Sequence, residues 1–257
     1  VSIANSTLSG NDSSEDGGAI NAGGEVNISN STLSGNVSSE DGGAIYAYNN
    51  FNVTISSSTM SSNTAARGGA IWANWDVTVS NSTFSQNSSS TSGGAIFGID
   101  AVTVSSSTLS ENLAGTDGGA IFADGEGNVS ISGSTMSSNS ADRSGGALFS
   151  LGEASFSNST LSTNSADGDE NNDGDGGAVH ASQNLSFSNT TFTGNSAVYG
   201  GAVFGSRNLT FENSTLAENS ALSGGAIYAS NWSGDLSLSV SLSNSSLTDN
   251  SAFDEGG

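Results

Sequence analysis

Carboxylate side chains are the residues of this sequence whose spacing most directly suggests chemistry. Two acidic pairs, Glu15-Asp16 and Glu40-Asp41, each stand immediately before a pair of glycines. Four carboxylates brought together at equivalent positions would repel one another, and a hard divalent cation with oxygen ligands would relieve that repulsion. The sequence therefore predicts a calcium site at Glu15, Asp16, Glu40 and Asp41.

A second acidic segment alternates aspartate with glycine and asparagine, as calcium-binding loops do. It offers Asp167, Asp169, Asp173 and Asp175 as candidate ligands. The segment lacks the spacing and the terminal glutamate of an EF-hand, and a solvated acidic loop is the alternative interpretation. Calcium is the only cofactor for which the sequence gives a reason.

Groups that could carry out catalysis are few. Two carboxylates can serve a glycoside hydrolase, and His180, the single histidine, follows the acidic segment by five residues. No nucleophile is arranged with a base, and the three basic residues are arginines far apart in the chain. We therefore expect a protein that is not an enzyme, with a polysaccharide-degrading enzyme as one alternative.

An internal repeat sets the spacing of these candidates. Two glycines, an alanine and an aliphatic residue recur nine times, as in Gly42-Gly43-Ala44-Ile45, and a block ending in asparagine recurs ten times. Between them run short alternations of polar and β-branched residues, which predict strands. Three short strands in about 25 residues are typical of one coil of a solenoid. The glycine motifs begin at Gly17, Gly42, Gly68, Gly93, Gly118, Gly145, Gly176, Gly200 and Gly224.

We therefore expect an all-β chain that forms a right-handed parallel β-helix of about ten coils. Residues 1–257 would be a single continuous β-helix, since each coil of a solenoid contacts only its neighbours. The chain starts in mid-repeat without a methionine and stops in mid-motif. It is accordingly expected to be a window of a longer repeat chain.

The asparagine that ends each second block is predicted to be structural. Asparagine tolerates the left-handed backbone conformation, and identical amides at the ~4.8 Å spacing of stacked strands can hydrogen-bond along the stack. Sugar binding by these side chains is the alternative. The ten residues are Asn11, Asn36, Asn63, Asn87, Asn112, Asn139, Asn164, Asn195, Asn219 and Asn250.

The residue that follows the aliphatic position of the glycine motif is aromatic in seven coils. Strict alternation in a strand directs it away from the core if the aliphatic residue points inward. An exposed file of rings would form a partner surface or a saccharide platform. Alternatively, the file is covered by another part of the rod or lies inside it. The seven are Tyr46, Trp72, Phe97, Phe122, Phe149, Phe204 and Tyr228.

Hydroxyl residues flank an inward apolar residue in most coils, as in Thr108-Leu109-Ser110. A flat array of such pairs resembles the surface of ice-binding proteins, so an ice-binding module is a second alternative function. The simpler interpretation is that hydroxyl groups solvate a strand of good β-propensity.

Sixteen sequons for N-glycosylation occur in the chain. In a chain so rich in asparagine, serine and threonine many arise by chance, and several lie in predicted strands, so glycosylation is an expectation at a few of them. The candidates are Asn5, Asn30, Asn52, Asn81 and Asn213.

The charge balance excludes some partners. The chain carries 25 acidic residues against three basic ones, for a net charge of −22. Nucleic acids and anionic membrane surfaces bind through basic residues, so neither is an expected partner. No apolar run approaches the ~20 residues of a membrane span, and without cysteine no disulfide staples the chain.

The paired motifs of one coil suggest a family. Phe192-Thr193-Gly194-Asn195-Ser196-Ala197 followed by Gly200-Gly201-Ala202-Val203 resembles the repeat of the chlamydial polymorphic outer-membrane proteins, and the resemblance covers nearly the whole chain. It implies an autotransporter-like, surface-exposed β-helical adhesin.

We therefore expect an extracellular or cell-surface rod, adhesin stalk or filament subunit that contacts host or surface glycans. Open coil ends carry unpaired strand edges. They are expected to be continued by more repeats or to pair end to end with another copy.

Overall fold

The computed structural model describes residues 1–168, 173–230 and 238–256, apart from the side chain of Glu255. Equivalent segments of successive coils pair in parallel and in register, which makes the chain a parallel β-helix. Each full coil has four strands rather than the expected three, because the residues after the asparagine, predicted as a loop, form a short strand. Within the described ranges, no helix is long and apolar enough to cross a membrane.

The strands form four sheets, named A to D in chain order within a coil. Sheet A contains Ser2–Ala4, Val26–Ser29, Val53–Ser56, Val77–Ser80, Val102–Ser105, Val129–Ser132, Ala154–Ser157, Leu185–Ser188, Leu209–Glu212 and Val240–Ser243. Sheet B contains Thr7–Ser9, Thr32–Ser34, Thr59–Ser61, Thr83–Ser85, Thr108–Ser110, Thr135–Ser137, Thr160–Ser162, Thr191–Thr193, Thr215–Ala217 and Ser246–Thr248. Sheet C contains Asp12–Ser13, Val37–Ser38, Thr64–Ala65, Ser88–Ser89, Leu113–Ala114, Ser140–Ala141, Ser165–Ala166, Ser196–Tyr199, Ser220–Ser223 and Ser251–Glu255. Sheet D contains Ile20–Ala22, Ile45–Ala47, Ile71–Ala73, Ile96–Gly98, Ile121–Ala123, Leu148–Ser150, Val179–Ala181, Val203–Gly205 and Ile227–Ala229.

The core is a continuous column of aliphatic and aromatic side chains inside the coils. In one coil, Ile71 of sheet D, Val77 and Val79 of sheet A, and Phe84 of sheet B are all fully buried. The strand register pairs similar residues of successive coils, so that Val77 lies beside Val102 of the next coil. Burying each such side chain contributes ~1.5–3 kcal/mol. A chain with few apolar residues folds because these residues recur at inward positions.

Each coil turns through three corners in the left-handed conformation. In one coil these are Asn81 between sheets A and B, Gln86 between B and C, and Gly93 between C and D, with φ of 48°, 56° and 69°. At the second corner the left-handed residue is Gln86, which directly precedes Asn87, the asparagine that recurs in every coil. The expectation that this asparagine itself adopts the left-handed conformation was therefore wrong.

The asparagine ladder itself is confirmed. The side-chain oxygen of Asn87 accepts hydrogen bonds from the main-chain N–H of Asn63 at 3.1 Å and from its amide group at 2.9 Å. The amide group of Asn87 donates to the carbonyl of Met60 at 3.0 Å and to Asn112 at 3.0 Å. All four hydrogen-bonding positions of the side chain are thus used inside the rod. The eight asparagines from Asn36 to Asn219 are buried, so the sugar-binding interpretation of these eight was wrong.

A second ladder, of hydroxyl groups, runs along the corner between sheets A and B. The main-chain N–H of Ser58 donates to Oγ of Ser82, and that of Ser82 donates to Oγ of Ser107, at 3.1 and 3.0 Å. Each hydroxyl donates in turn to a carbonyl two residues earlier, as Ser82 does to Ser80 at 2.7 Å. Sequence reasoning missed this ladder, because serines in a Ser- and Thr-rich run look like surface residues.

The glycine pair forms the tightest corner. The first glycine, such as Gly93, has positive φ, which favours glycine. At the second, Gly94, an added Cβ would overlap the carbonyl oxygen of Gly119 in the next coil and approach that of Leu113 to 2.6 Å. Both glycines are therefore required, one for its conformation and one for the close approach of two backbones.

We predict that Gly94→Ala lowers the free energy of unfolding by at least about 3 kcal/mol, the upper end of overpacking costs, because rigid backbone surrounds the new methyl group. Gly24→Ala is the matched control, since a Cβ there meets nothing within 4 Å. Urea unfolding followed by far-ultraviolet circular dichroism measures both. Equal midpoints for Gly94→Ala and the wild type would contradict the prediction.

We predict that Asn112→Ala costs about 3 kcal/mol or more, because each buried polar group left without a partner costs about 1–3 kcal/mol. The change removes the acceptor of two Asn87 hydrogen bonds and the donor to the carbonyl of Phe84. The exposed Asn128→Ala should stay within about 0.5 kcal/mol of the wild type. If the two variants unfold at the same urea concentration, the ladder does not stabilise the rod.

Candidate functional site

The outward side chains of sheet D form a continuous stack of rings, here called the aromatic ladder. Inward Ile71 and Ala73 leave Trp72 pointing away from the core, and the in-register pairing places Trp72 between Tyr46 and Phe97. His180 occupies the same position in its coil and stacks with the others. Successive ring centroids from Tyr46 through Trp72, Phe97, Phe122, Phe149, His180 and Phe204 to Tyr228 lie 4.6, 6.4, 5.0, 5.0, 4.6, 4.8 and 5.6 Å apart.

The ladder points outward, as strand alternation predicted, but it is covered. Four of its rings, Trp72, Phe97, Phe122 and Phe204, are buried. The expectation that they form an exposed partner surface was therefore wrong. The half-buried rings are Tyr46, Phe149 and Tyr228, and partner binding stays a prediction for these three.

Part of the cover comes from residues directly before the glycine pair. The guanidinium of Arg67 lies 5.8 Å from the ring centroid of Trp72 and 5.2 Å from that of Phe97. It pairs with Asp41 of the preceding coil through Nε and Oδ1 at 2.8 Å. This hydrogen bond raises the pKa of Arg67. The Arg67 guanidinium packs over the rings of Trp72 and Phe97, and the Asp41 carboxylate fixes the guanidinium in that position.

Hydrogen bonds also account for one aspartate of each acidic pair, Asp16 and Asp41. Asp41 is buried and paired with Arg67, while Asp16 accepts a hydrogen bond from the main-chain N–H of Asp41 at 3.1 Å. Glu15 and Glu40 are exposed. The negative charge of Asp41 is thus balanced by Arg67 of the next coil, which is 26 residues away in sequence. Calcium at this position stays a prediction.

The acidic segment is only partly covered by the described residues, because Asp169 lies outside them. Asp167 is exposed, and Asp173 and Asp175 are half-buried. Among the residues that the structure describes, no three histidine, cysteine, aspartate or glutamate side chains form a group that could hold a metal ion. Calcium binding by this segment likewise stays a prediction.

His180, a member of the ladder, lies close to Asp175, and both titratable side chains are mostly buried. His180 Nδ1 lies 3.7 Å from Oδ2 of Asp175, and the two side chains are 12% and 19% exposed. Burial, and then the charge of Arg143, lowers the pKa of His180 to about 3. Burial, and then the negative charges of Asp173 and Asp117, raises the pKa of Asp175 to about 7. Both groups are therefore neutral between those values.

The two shifts have opposite effects on stability. The unfolded state protonates its histidine below pH 6.5 while folded His180 stays neutral to about pH 3, so stability falls as pH falls through that range. Folded Asp175 keeps its proton to about pH 7 and an unfolded aspartate loses it at 3.8, so stability falls as pH rises between them. Where the ranges overlap, unfolding moves one proton from aspartate to histidine with no net uptake.

Two polar surfaces keep the placement that the sequence predicted. Thr83, Thr108 and Thr135 lie in register on the outer face of sheet B, within a file of nine threonines that runs from Thr7 to Thr215. The five candidate glycosylation sites are all exposed, and four of them are left-handed corner residues. Glycosylation stays a prediction at Asn5, Asn30, Asn52, Asn81 and Asn213.

We predict that the His180 ring shows no titration step near pH 6.5 in the folded protein. Its burial between Phe149 and Phe204 disfavours the charged form. Proton NMR of the C2 proton between pH 4 and 8 tests this without ambiguity, since the chain has a single histidine. The same sample in urea should show the ordinary step, and a step between pH 6 and 7 in the folded protein would contradict the prediction.

We predict that Asp175→Asn becomes more stable relative to the wild type as pH rises from 4.5 to 7.5. The wild type must bury a charge at the higher pH and the variant need not. Urea unfolding of the variant and the wild type at both pH values gives the difference in their free energies of unfolding. The contributions of all unaltered groups cancel from this difference. The exposed Asp167→Asn controls for the loss of one charge, and a difference independent of pH would contradict the prediction.

Comparison with known proteins agrees with this geometry. The sequence profile of the right-handed beta helix region matches residues 16–170 and 98–256, two overlapping ranges that together include most of the chain. No curated protein and no solved structure matches the chain. The match confirms the predicted handedness, and the chain belongs to the right-handed beta helix family.

Proposed function

We propose that this chain is a non-enzymatic, extracellular or cell-surface rod that serves as an adhesin stalk or a filament subunit. The observation that carries the proposal is the parallel pairing of three ten-stranded sheets and one nine-stranded sheet along the described coils, with one register shift between the last two strands of sheet C. Ten strands at ~4.8 Å span about 43 Å. Such a rod holds whatever its turns carry at a fixed distance from its ends.

Several contacts support a role that depends on stiffness. The asparagine ladder links every coil to the next through side-chain hydrogen bonds of 2.8–3.0 Å. The stacked rings add a second continuous column on the outside of sheet D. The coils thus resist bending both inside and outside the core.

The His180 and Asp175 pair, the best candidate for catalysis, is better suited to packing. His180 is stacked on both faces by phenylalanine rings and its ring is mostly buried. A general acid or base needs hydrogen-bond reach to its substrate. We therefore propose a structural role for this pair.

End-to-end contact is part of the proposal. The last described strands of sheets A and B leave Val240, Leu242 and Leu247 about two-fifths exposed, at 42%, 43% and 45%. Further coils of the same chain or a second copy would cover these residues and pair the open strand edges. The resemblance to the repeats of chlamydial surface proteins supports a surface location.

Two measurements test the rod. Antibodies against the chain should label intact cells of the organism that encodes it, whereas antibodies against an internal protein should not. Label that appears only after permeabilisation would overturn the surface location. Electron micrographs of the purified chain should show stiff rods that associate end to end, and dispersed particles of one short length would overturn that association.

Ice binding is a second candidate, and the threonine file on sheet B favours it. Nine threonines in register form a flat array whose neighbouring file is mostly serine. Equally spaced hydroxyl groups on a rigid sheet could match an ordered water layer.

If the array binds ice, the wild type shows thermal hysteresis and Thr108→Tyr abolishes it, because the bulky ring interrupts the flat surface. Thr103→Tyr, on the exposed face of sheet A, should keep it. Freezing-point measurements on the three proteins decide the matter. A wild type without hysteresis removes this candidate.

A further inference from the structure

Exposed aromatic rings are concentrated in two consecutive turns between sheets D and A. Among the described aromatic side chains, only Tyr48, Phe51, Trp75 and Phe253 are exposed, and the first three belong to these turns. Their exposures are 37%, 42% and 39%. Phe51 and Trp75 stand two residues before Val53 and Val77, which are partners in the same register. The two rings therefore project from equivalent positions of adjacent coils.

Amide side chains lie between and beside these rings. The turn at residues 48–52 is two residues longer than its neighbours at 23–25 and 74–76, and the extra length includes Asn49 and Asn50. Both have positive φ, 66° and 57°. The amide of Asn74 donates to Oδ1 of Asn50 at 2.7 Å. We call Tyr48, Asn49, Asn50, Phe51, Asn74 and Trp75 the turn patch.

The turn patch is held in place by the coils beneath it. The main-chain N–H of Tyr48 donates to the carbonyl of Ala22 at 3.0 Å, and that of Asn74 donates to Ala47 at 3.0 Å. The Tyr48 ring lies against Gly23, where a Cβ would come within 2.9 Å of the ring atoms. It also stacks with Tyr46 at 5.8 Å. A ligand would therefore meet a Tyr48 ring that is already ordered and turns whose main chain is hydrogen-bonded to the preceding coil, which lowers the entropic cost of binding.

The chemistry of the patch limits what it can bind. Glu25 and Asp76 flank it at equivalent positions, and the chain has a net charge of −22, so anionic ligands are repelled. Three rings at two-fifths exposure offer roughly 180–300 Å². A stable protein interface needs about 800 Å² per partner. A small ligand with apolar faces and hydroxyl edges fits better.

We propose that the turn patch binds an uncharged oligosaccharide, with pyranose faces on Trp75 and Phe51 and hydroxyl groups on the neighbouring amides. An aromatic ring offers an apolar face to the C–H groups of a sugar. An asparagine amide both donates and accepts, as a hydroxyl group does. This inference rests on the proposed adhesive function and names its ligand class.

Titration calorimetry tests the proposal with four neutral probes: cellohexaose, chitohexaose, laminarihexaose and mannohexaose. At least one should bind the wild type, and Trp75→Ala should weaken that binding tenfold or more. Trp75→Phe keeps an aromatic face and should change the affinity less than threefold. Leu113→Ala removes an equally exposed apolar side chain from sheet C and should change nothing.

Three results would overturn the inference. They are the absence of binding to all four probes at millimolar concentration, equal affinities for Trp75→Ala and the wild type, and tighter binding of polygalacturonate than of the neutral probes. Surface labelling of intact cells is independent of these titrations. A labelled rod without sugar binding would overturn only this inference, whereas a sugar-binding chain inside the cell would overturn the proposed function.

Discussion

Backbone hydrogen bonding from each coil to the next is the constraint on which the structure depends. At the glycine corner, parallel strands at ~4.8 Å leave no room for a side chain, and each second glycine from Gly18 to Gly201 lies directly against the second glycine of the next coil. Asparagine and serine then complete the hydrogen bonds that the corners leave open. The composition of the glycine corner follows from this constraint, whereas the corner between sheets B and C also accepts longer residues such as Gln86 and Glu111.

Much of the fold could be predicted because periodicity exposes it. The glycine motif and the asparagine block marked the coil, and alternation predicted the strands. That Ile71, Val77 and Val79 point inward comes from the structure. Features that depend on tertiary contact could not be read in this way. The left-handed corner falls on Gln86, whose residue type does not favour it. Part of the cover over Trp72 comes from Arg67 five residues earlier, which is held by Asp41 of another coil.

The structure corrected the predicted functional site more than it corrected the predicted fold. Sequence alternation correctly sent the aromatic file outward, yet stacking at coil spacing buries most of its surface against itself. Three of the four exposed rings among the described residues, Tyr48, Phe51 and Trp75, lie instead in two turns between sheets D and A. Position in a repeat predicts the scaffold, and departures from the repeat mark the places where a ligand would bind.

Turn length varies between sheets D and A while the strands around it stay in register. The turns at residues 48–52 and 124–128 have five residues where those at 23–25, 74–76 and 99–101 have three, yet Val53 pairs with Val77 and Val102 with Val129. Each coil is thus a separable unit of structure. Unequal recombination between repeats would add or delete whole coils, moving a binding turn along the rod in steps of one coil while every ladder stays intact.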